Sequence, residues 1–200
     1  TSTVTMTVTA ANDAPVVAAL NLSSAEDSVL SGTATATDVD GDALTWSLQT
    51  GPATGSATVA ANGDVTFTPA ANWNGSTSFV AQVSDGTATV ALTVNVTVTA
   101  ANDAPVTADL ALSTAEDTAL VVTPAASDVD GDTLTWALGA APAHGALSGL
   151  DAATGAVTYT PALNYNGSDS FSLVVSDGNG GTATSTVTMT VTAANDAPVV

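Results

Sequence analysis

The chain has 200 residues, 45% of them hydrophobic, with nineteen Asp and Glu, one His, no Cys and no Lys or Arg. A net charge of −19 with no cationic side chain leaves nothing to neutralise a phosphate, so nucleic-acid binding is excluded. An anionic membrane surface would repel it. No disulfide is possible, so stability must come from packing or from metal.

In chain order, the first segment is Thr1 to Val17, TSTVTMTVTAANDAPVV, which reappears letter for letter as Thr184 to Val200. A third, imperfect copy ends at Thr107. The Asn-Asp-Ala-Pro-Val motif starts at Asn12, Asn102 and Asn195, at spacings of 90 and 93 residues. Such spacing is that of a tandem array of small domains. The expected organisation is the last strand of a preceding repeat over 1–11, modules over 12–101 and 102–194, and the start of a further repeat over 195–200.

Within the first module, Thr, Val and Ala alternate in the period-2 pattern of half-buried strands. Turn signals recur at Gly41-Asp42, Gly51-Pro52, Asn62-Gly63, Asn74-Gly75 and Asp85-Gly86. The predicted strands are A, Val16 to Leu22; B, Val29 to Thr37; C, Ala43 to Gln49 with Trp46; D, Ser56 to Ala60; E, Asp64 to Thr68; F, Ser78 to Ser84; and G, Thr87 to Thr99. The second module repeats this order, with Trp136 on strand C and Asn179-Gly180-Gly181 lengthening the F–G turn. Seven short strands and no helix signature predict an all-β fold of two tandem Greek-key sandwiches of immunoglobulin-like type, arranged end to end. Each strand C Trp is read as core between the sheets.

The acids match between modules. Glu26-Asp27 corresponds to Glu116-Asp117; Asp38, Asp40 and Asp42 to Asp128, Asp130 and Asp132; and Asp85 to Asp177. The linkers contribute Asn12-Asp13, Asn102-Asp103 and Asn195-Asp196. Asp64, Asp109, Asp151 and Asp169 have no acidic counterpart and read as solvated surface. In a sandwich, loops alternate between two poles. The A–B turn with Glu26-Asp27 then lies at the lower pole, and the B–C and F–G loops lie at the upper one. The central joint would gather Glu26, Asp27, Asn102, Asp103, Asp128, Asp130, Asp132 and Asp177. Half of such a set is expected around Asn12, Asp13, Asp38, Asp40, Asp42 and Asp85, and another half around Glu116, Asp117, Asn195 and Asp196.

Unit charges about 4 Å apart repel by about 4 kcal/mol per pair at an effective dielectric near 20. A hard divalent cation resolves this, and Ca2+ accepts six to eight carboxylate, amide and carbonyl oxygens in tolerant geometry. Zn and Cu are poor candidates without Cys. The bland alternative is that Asp-x-Asp-Gly-Asp is only a polar turn. It is not an EF-hand, because the twelfth-position Glu and flanking helices are missing.

Ala-Glu-Asp, Asp-Val-Asp-Gly-Asp, Asn-Tyr-Asn-Gly-Ser, Val-Ser-Asp-Gly and Asn-Asp-Ala-Pro, in this order, resemble the cadherin-like tandem repeats of giant bacterial surface adhesins. These include repeats-in-toxin adhesins exported by type I secretion. The resemblance implies sandwiches joined by interdomain calcium, with Glu26, Asn102-Asp103 and Asp128/Asp130 in the matching places. The linker is shorter than the cadherin string, and the cadherin mid-module acidic motif is not evident.

His144 reads as an exposed turn residue, since Thr54 holds its place in the first module. With one His, no Ser-His-Asp triad is available, and no enzyme activity is expected. Trp73 and Tyr165 sit in matched Asn-aromatic-Asn-Gly loops. They are read as capping the core or packing on the next module rather than stacking on sugar. The expected function is a calcium-stiffened extender of a secreted or surface-anchored bacterial adhesin, extracellular, projecting a distal binding domain for adhesion or biofilm formation. Expected partners are neighbouring repeats of the same chain, with a glycan or cell-surface ligand elsewhere in the full-length protein, no direct membrane contact, and a monomeric fragment. Modules that themselves bind glycan or self-associate, and spacers of a large secreted enzyme, remain open alternatives.

Overall fold

The computed structural model describes residues 1–9 and 11–195. It divides into two compact units, Thr1–Ala101 and Asn102–Val200. In the first, the strands are β1 (Val16–Val17), β2 (Leu20–Ala25), β3 (Leu30–Thr33), β4 (Ala36–Thr37), β5 (Thr45–Thr50), β6 (Ser56–Val59), β7 (Asp64–Thr68), β8 (Gly75–Ser84) and β9 (Thr89–Thr99). One sheet has the order β2-β9-β8-β5 and the other β3-β7-β6, with β1 and β4 as a separate pair.

The long strands form because their alternation matches the pleat. Leu92, Val94, Val96 and Val98 of β9 point inward and are at most 5% exposed, while Thr93, Asn95, Thr97 and Thr99 face out. Burying each such side chain is worth about 1.5–3 kcal/mol. Phe79, Ala81 and Val83 of β8 meet them, and Val65 and Phe67 of β7 close the core from the facing sheet. Trp46 is 5% exposed in this core, as its place on strand C predicts.

The predicted strands A and B are each divided. Val16 and Val17 pair antiparallel with Thr37 and Ala36, but Leu20 to Ala25 pair parallel with Val94 to Thr99. The chain thus changes sheets at Ala18-Ala19, where the Ala18 N–H donates to the Thr35 carbonyl at 3.0 Å. The crossing lets one short segment cover the outer edge of β9, which would otherwise present an unpaired row of amides. Strand F also starts earlier than predicted, at Gly75.

The second unit repeats this plan. Its strands are β10 (Val106–Thr107), β11 (Leu110–Ala115), β12 (Leu120–Val122), β13 (Ala126–Ser127), β14 (Thr135–Leu138), β15 (Gly145–Ser148), β16 (Val157–Pro161), β17 (Gly167–Ser176) and β18 (Thr182–Thr192). The sheets are β11-β18-β17-β14 and β12-β16-β15. Trp136, Tyr159, Phe171 and Met189 fill the core.

Residues 1–9 have the sequence of Thr184–Thr192 but form no strand. Val4, Met6 and Val8 are 80–90% exposed, whereas Val187, Met189 and Val191 are at most 3% exposed.

Asp169 departs from its expected place on solvated surface. It is 6% exposed, because it stands on the inward face of β17. The Tyr159 hydroxyl donates to its Oδ2 at 2.9 Å, and the amides of Ala143, His144 and Ser170 donate to its two oxygens at 2.8–3.0 Å. Burial alone would raise its pKa; the four donors outweigh burial and hold the carboxyl below its ordinary value. Burial, reinforced by the adjacent Asp169, pushes the Tyr159 hydroxyl up. The matching pair in the first unit is Phe67 and Thr77, so hydroxyl and carboxylate are present together or absent together. Asp64, Asp109 and Asp151 are exposed, as read.

Two predictions follow from this packing. Gly155 has φ +71°, and a Cβ there would lie 2.6 Å from Pro124 Cγ and 2.8 Å from the Trp136 ring. Gly155→Ala should therefore cost the second unit about 1–3 kcal/mol for the clash, on top of the backbone term of about 1–2 kcal/mol for a left-handed residue. Gly131→Ala, with φ +78° but nothing within 4 Å, should carry only the backbone term of about 1–2 kcal/mol. Calorimetric unfolding of both variants checks the order. Asp169→Asn should cost about 1.5–3 kcal/mol at neutral pH. Because the folded pKa is depressed, that contribution is complete above the unfolded value near 3.9 and fades as pH falls through the folded pKa. Urea unfolding of parent and variant should differ fully above about pH 4 and draw together only as pH falls further, through the depressed pKa of Asp169.

Candidate metal centre at one pole of each unit

The Asp-rich loop follows β4, and its shape comes from Asp38. The Oδ1 of Asp38 accepts the amides of Asp40 at 2.9 Å and Asp42 at 3.3 Å. Gly41, at φ +79°, supplies the left-handed residue this wrap needs. The same wrap recurs at Asp128, which takes the amides of Asp130 at 3.0 Å and Asp132 at 3.3 Å, with Gly131 at φ +78°. In both loops the wrapped oxygen is satisfied and its sister is not: Asp38 Oδ2 and Asp128 Oδ2 are buried with no hydrogen-bond partner.

The linker joins each loop. The Asp13 amide donates to Asp40 Oδ2 at 2.8 Å, and the Asn12 side chain donates to Asp85 Oδ2 at 3.0 Å. In the second unit the Asp103 amide donates to Asp130 Oδ2, and the Asn102 side chain to Asp177 Oδ2, each at 2.8 Å. The F–G turns hold the remaining oxygens. Asp85 Oδ1 accepts the amides of Thr87 and Ala88 at 2.7 and 2.6 Å; Asp177 Oδ1 accepts those of Asn179 and Gly181 at 2.7 and 2.9 Å. The Ala88 amide first, then Asn12 and Thr87, hold Asp85 below the usual carboxylate range. For Asp177 the Asn102 amide group is the largest cause; burial opposes it, and the Asn179 and Gly181 amides add to it.

These bonds bring one oxygen from each of Asp38, Asp40 and Asp42 within 4.8 Å of one another, and likewise one from each of Asp128, Asp132 and Asp177. Two unit charges at that distance repel by about 3 kcal/mol at an effective dielectric near 20. No Lys or Arg exists to offset this. Carboxylates crowded without a cation, each group containing one buried oxygen with no donor, fit a hard divalent ion that takes oxygen ligands.

Glu26, Asp27, Glu116 and Asp117 lie at the opposite pole of their units. The Glu26 amide donates to the Thr99 carbonyl at the far end of β9, at 2.9 Å. With eleven residues in β9, the two poles are about 33 Å apart. Within one unit, therefore, Glu26 and Asp27 are not brought to Asp38, Asp40, Asp42 and Asp85, in keeping with the expected pole assignment. Glu26 is 4% exposed, and its Oε1 accepts the Ala101 amide at 2.8 Å; Asp27 accepts the Asn72 amide at 3.0 Å. Glu116, 6% exposed, accepts the Ala194 amide at 2.6 Å, and Asp117 accepts that of Asn164 at 3.0 Å. Asn195 follows β18 and is exposed; Asp196 lies outside the described residues.

Several contributors were not legible in the sequence. Asn72 and Asn164 were visible only as neighbours of an aromatic, yet their amides satisfy Asp27 and Asp117. Asn179 was visible only as added loop length, yet its side chain donates to Asp132 Oδ2 at 2.8 Å. Trp73 and Tyr165 pack against the cores of their units. His144 is exposed, with its ring stacked on Tyr165 at 4.3 Å between centroids.

A family model described as the bacterial cadherin-like domain matches residues 12–100 and again 102–193. No curated protein matches the sequence. Among solved structures, one form of human protocadherin-24 EC1-2 is 18% identical, with a TM-score of 0.56 over 92% of this chain and 100% of that one. The human desmocollin-1 ectodomain is 14% identical, with a TM-score of 0.50 over 93% of this chain and 42% of that one. An endo-fucoidan hydrolase of glycoside hydrolase family 107 is 24% identical, with a TM-score of 0.40 over 90% of this chain. The chain spans 29% of that hydrolase's length. No helix of the described residues is long and apolar enough to cross a membrane. With both repeats matched and the cadherin sandwich reproduced, the chain belongs to the bacterial cadherin-like domain family.

Proposed function

We propose that these are non-catalytic extender modules of a secreted or surface-anchored bacterial adhesin, stiffened by calcium at each Asn-Asp linker. Cadherin-like domains are in general extracellular and typically bind calcium. The observation that carries the reading is the pair of buried, donorless oxygens, Asp38 Oδ2 and Asp128 Oδ2. They occur at the same place in two units of a chain with no cationic side chain except its one His. Asp38, Asp40 and Asp42, with Asn12, Asp13 and Asp85 around them, would hold calcium in the first unit. Asp128, Asp132 and Asp177, with Asn102, Asp103 and Asp130 around them, would hold it in the second. Bound calcium neutralises the crowded carboxylates, and the protein supplies the oxygen cage.

Neighbouring repeats of the same chain are the proposed partners, and any glycan or cell-surface ligand belongs to a distal domain. Repeats-in-toxin character, type I secretion and a part in biofilm formation rest on the motif string alone.

Calorimetric melting with calcium and then with chelator tests the proposal. Calcium at a hundred times its dissociation constant should stabilise each unit by about 2.7 kcal/mol, a rise of roughly 10–20 °C for a unit of this size. Asp128→Ala with Asp130→Ala should remove the rise of the second unit only. Small-angle scattering should give a larger maximum dimension with calcium than with chelator. Melting indifferent to calcium would sink the metal assignment, and an unchanged dimension would sink the stiffening.

A further inference from the structure

The two candidate centres are built differently, and the difference traces to one insertion. The first unit turns between its last two strands through Asp85-Gly86-Thr87-Ala88, and the second through Asp177-Gly178-Asn179-Gly180-Gly181, one residue longer. The extra length carries a side-chain amide. Asn179 donates its main-chain N–H to Asp177 Oδ1 at 2.7 Å and its side-chain N–H to Asp132 Oδ2 at 2.8 Å. One residue thus ties the two acids that come from different loops. Asp132, held this way, is half-buried, and Asp177 is 4% exposed.

In the first unit nothing plays this part. Thr87 stands where Asn179 would, and its amide goes to Asp85. The carboxylate of Asp42, the counterpart of Asp132, is exposed and accepts no hydrogen bond from the described residues. The acids that converge there all come from the single loop Asp38 to Asp42, and two of the three are exposed.

We infer that Asn179 is a positioning residue that makes the second unit's centre the tighter calcium site of the two, so that the repeats fill in sequence rather than together. This rests on the calcium reading above. The chemistry is that of outer-sphere support. A ligand oxygen held by a hydrogen bond loses less freedom on binding, and a carboxylate oxygen retains a second lone pair for the ion after accepting one bond. Removal of such a partner typically weakens metal binding by about 10–100-fold. In the first unit Asp42 already lies beside Asp38 and Asp40, but no donor holds it, so it must be ordered when the ion arrives, and that cost lowers its affinity.

Calorimetric titration of the 200-residue chain with calcium chloride tests this. Two classes of site should appear, the tighter by about 10-fold or more. Asp128→Asn should abolish the tighter class and Asp38→Asn the weaker. Asn179→Ala should weaken the tighter class alone by about 10–100-fold, while the melting temperature in chelator stays at the parent value, because Asn179 is exposed on a turn. Replacing Asn179-Gly180-Gly181 with Thr-Ala, the first unit's turn, should merge the classes. Equal affinity in the parent, or a tighter class that survives Asn179→Ala, would overturn this inference and leave calcium binding intact. A lowered melting temperature in chelator would reduce Asn179 to a structural role and also overturn it. Absence of calcium binding at either centre would overturn the parent reading together with this one.

Discussion

Every fixed side-chain charge in this protein is negative, and that constraint organises its polar structure. With no Lys or Arg, a carboxylate withdrawn from water can be satisfied only by N–H and O–H dipoles or by an added cation. The fold uses dipoles wherever it can. Glu26 and Glu116 each take an amide from the second residue after the last strand, Asp27 and Asp117 take amides from the loop before β8 and β17, and Asp169 gathers four donors. These are charge-assisted bonds, stronger than neutral ones, and they tie loops to strand ends. At one pole of each unit the dipoles run out, and a carboxylate oxygen is left inside without a donor. A native fold seldom retains such a group unless something binds it.

The two poles serve different ends. At the Glu-Asp pole the glutamate is buried and one of its oxygens accepts a main-chain amide, with the Asn166 side chain donating to the other oxygen of Glu116. The Asp-rich pole is gathered but incomplete. Its loop is wound around one oxygen of Asp38 or Asp128, which fixes the position of the other. The side-chain amide of Asn12 or Asn102 bonds to the acid of the F–G turn, which makes the linker part of the same hydrogen-bond network as the loop. An interrupted strand A completes the arrangement, for it leaves the linker beside β4 and then crosses to protect the edge of β9.

Internal repetition makes the chain its own comparison. Phe67 with Thr77 against Tyr159 with Asp169 shows that a core hydroxyl enters only with an acceptor, as the cost of an unpaired buried polar group requires. Thr87 against Asn179 shows the same site supported in two ways. Both differences were plain in the sequence as letters, but neither had a meaning there, because the residues that meet are 10 and 47 positions apart.

What the sequence determined alone was whatever depends on local periodicity and composition: alternation that can only bury one face of a strand, turns at Asn-Gly and Asp-Gly, the core Trp, two like units, and an acidic loop shaped by Gly41 or Gly131. What only tertiary structure decided was where each carboxylate finds its donors, and which strand edge each segment covers. The segment TSTVTMTVT makes the division plain. At Thr184–Thr192 it is a strand between β11 and β17 with its Val and Met side chains buried, and at residues 1–9 the same letters form no strand and stand exposed. Alternation supplies an apolar face, but a strand exists only when neighbours accept its amides and cover that face.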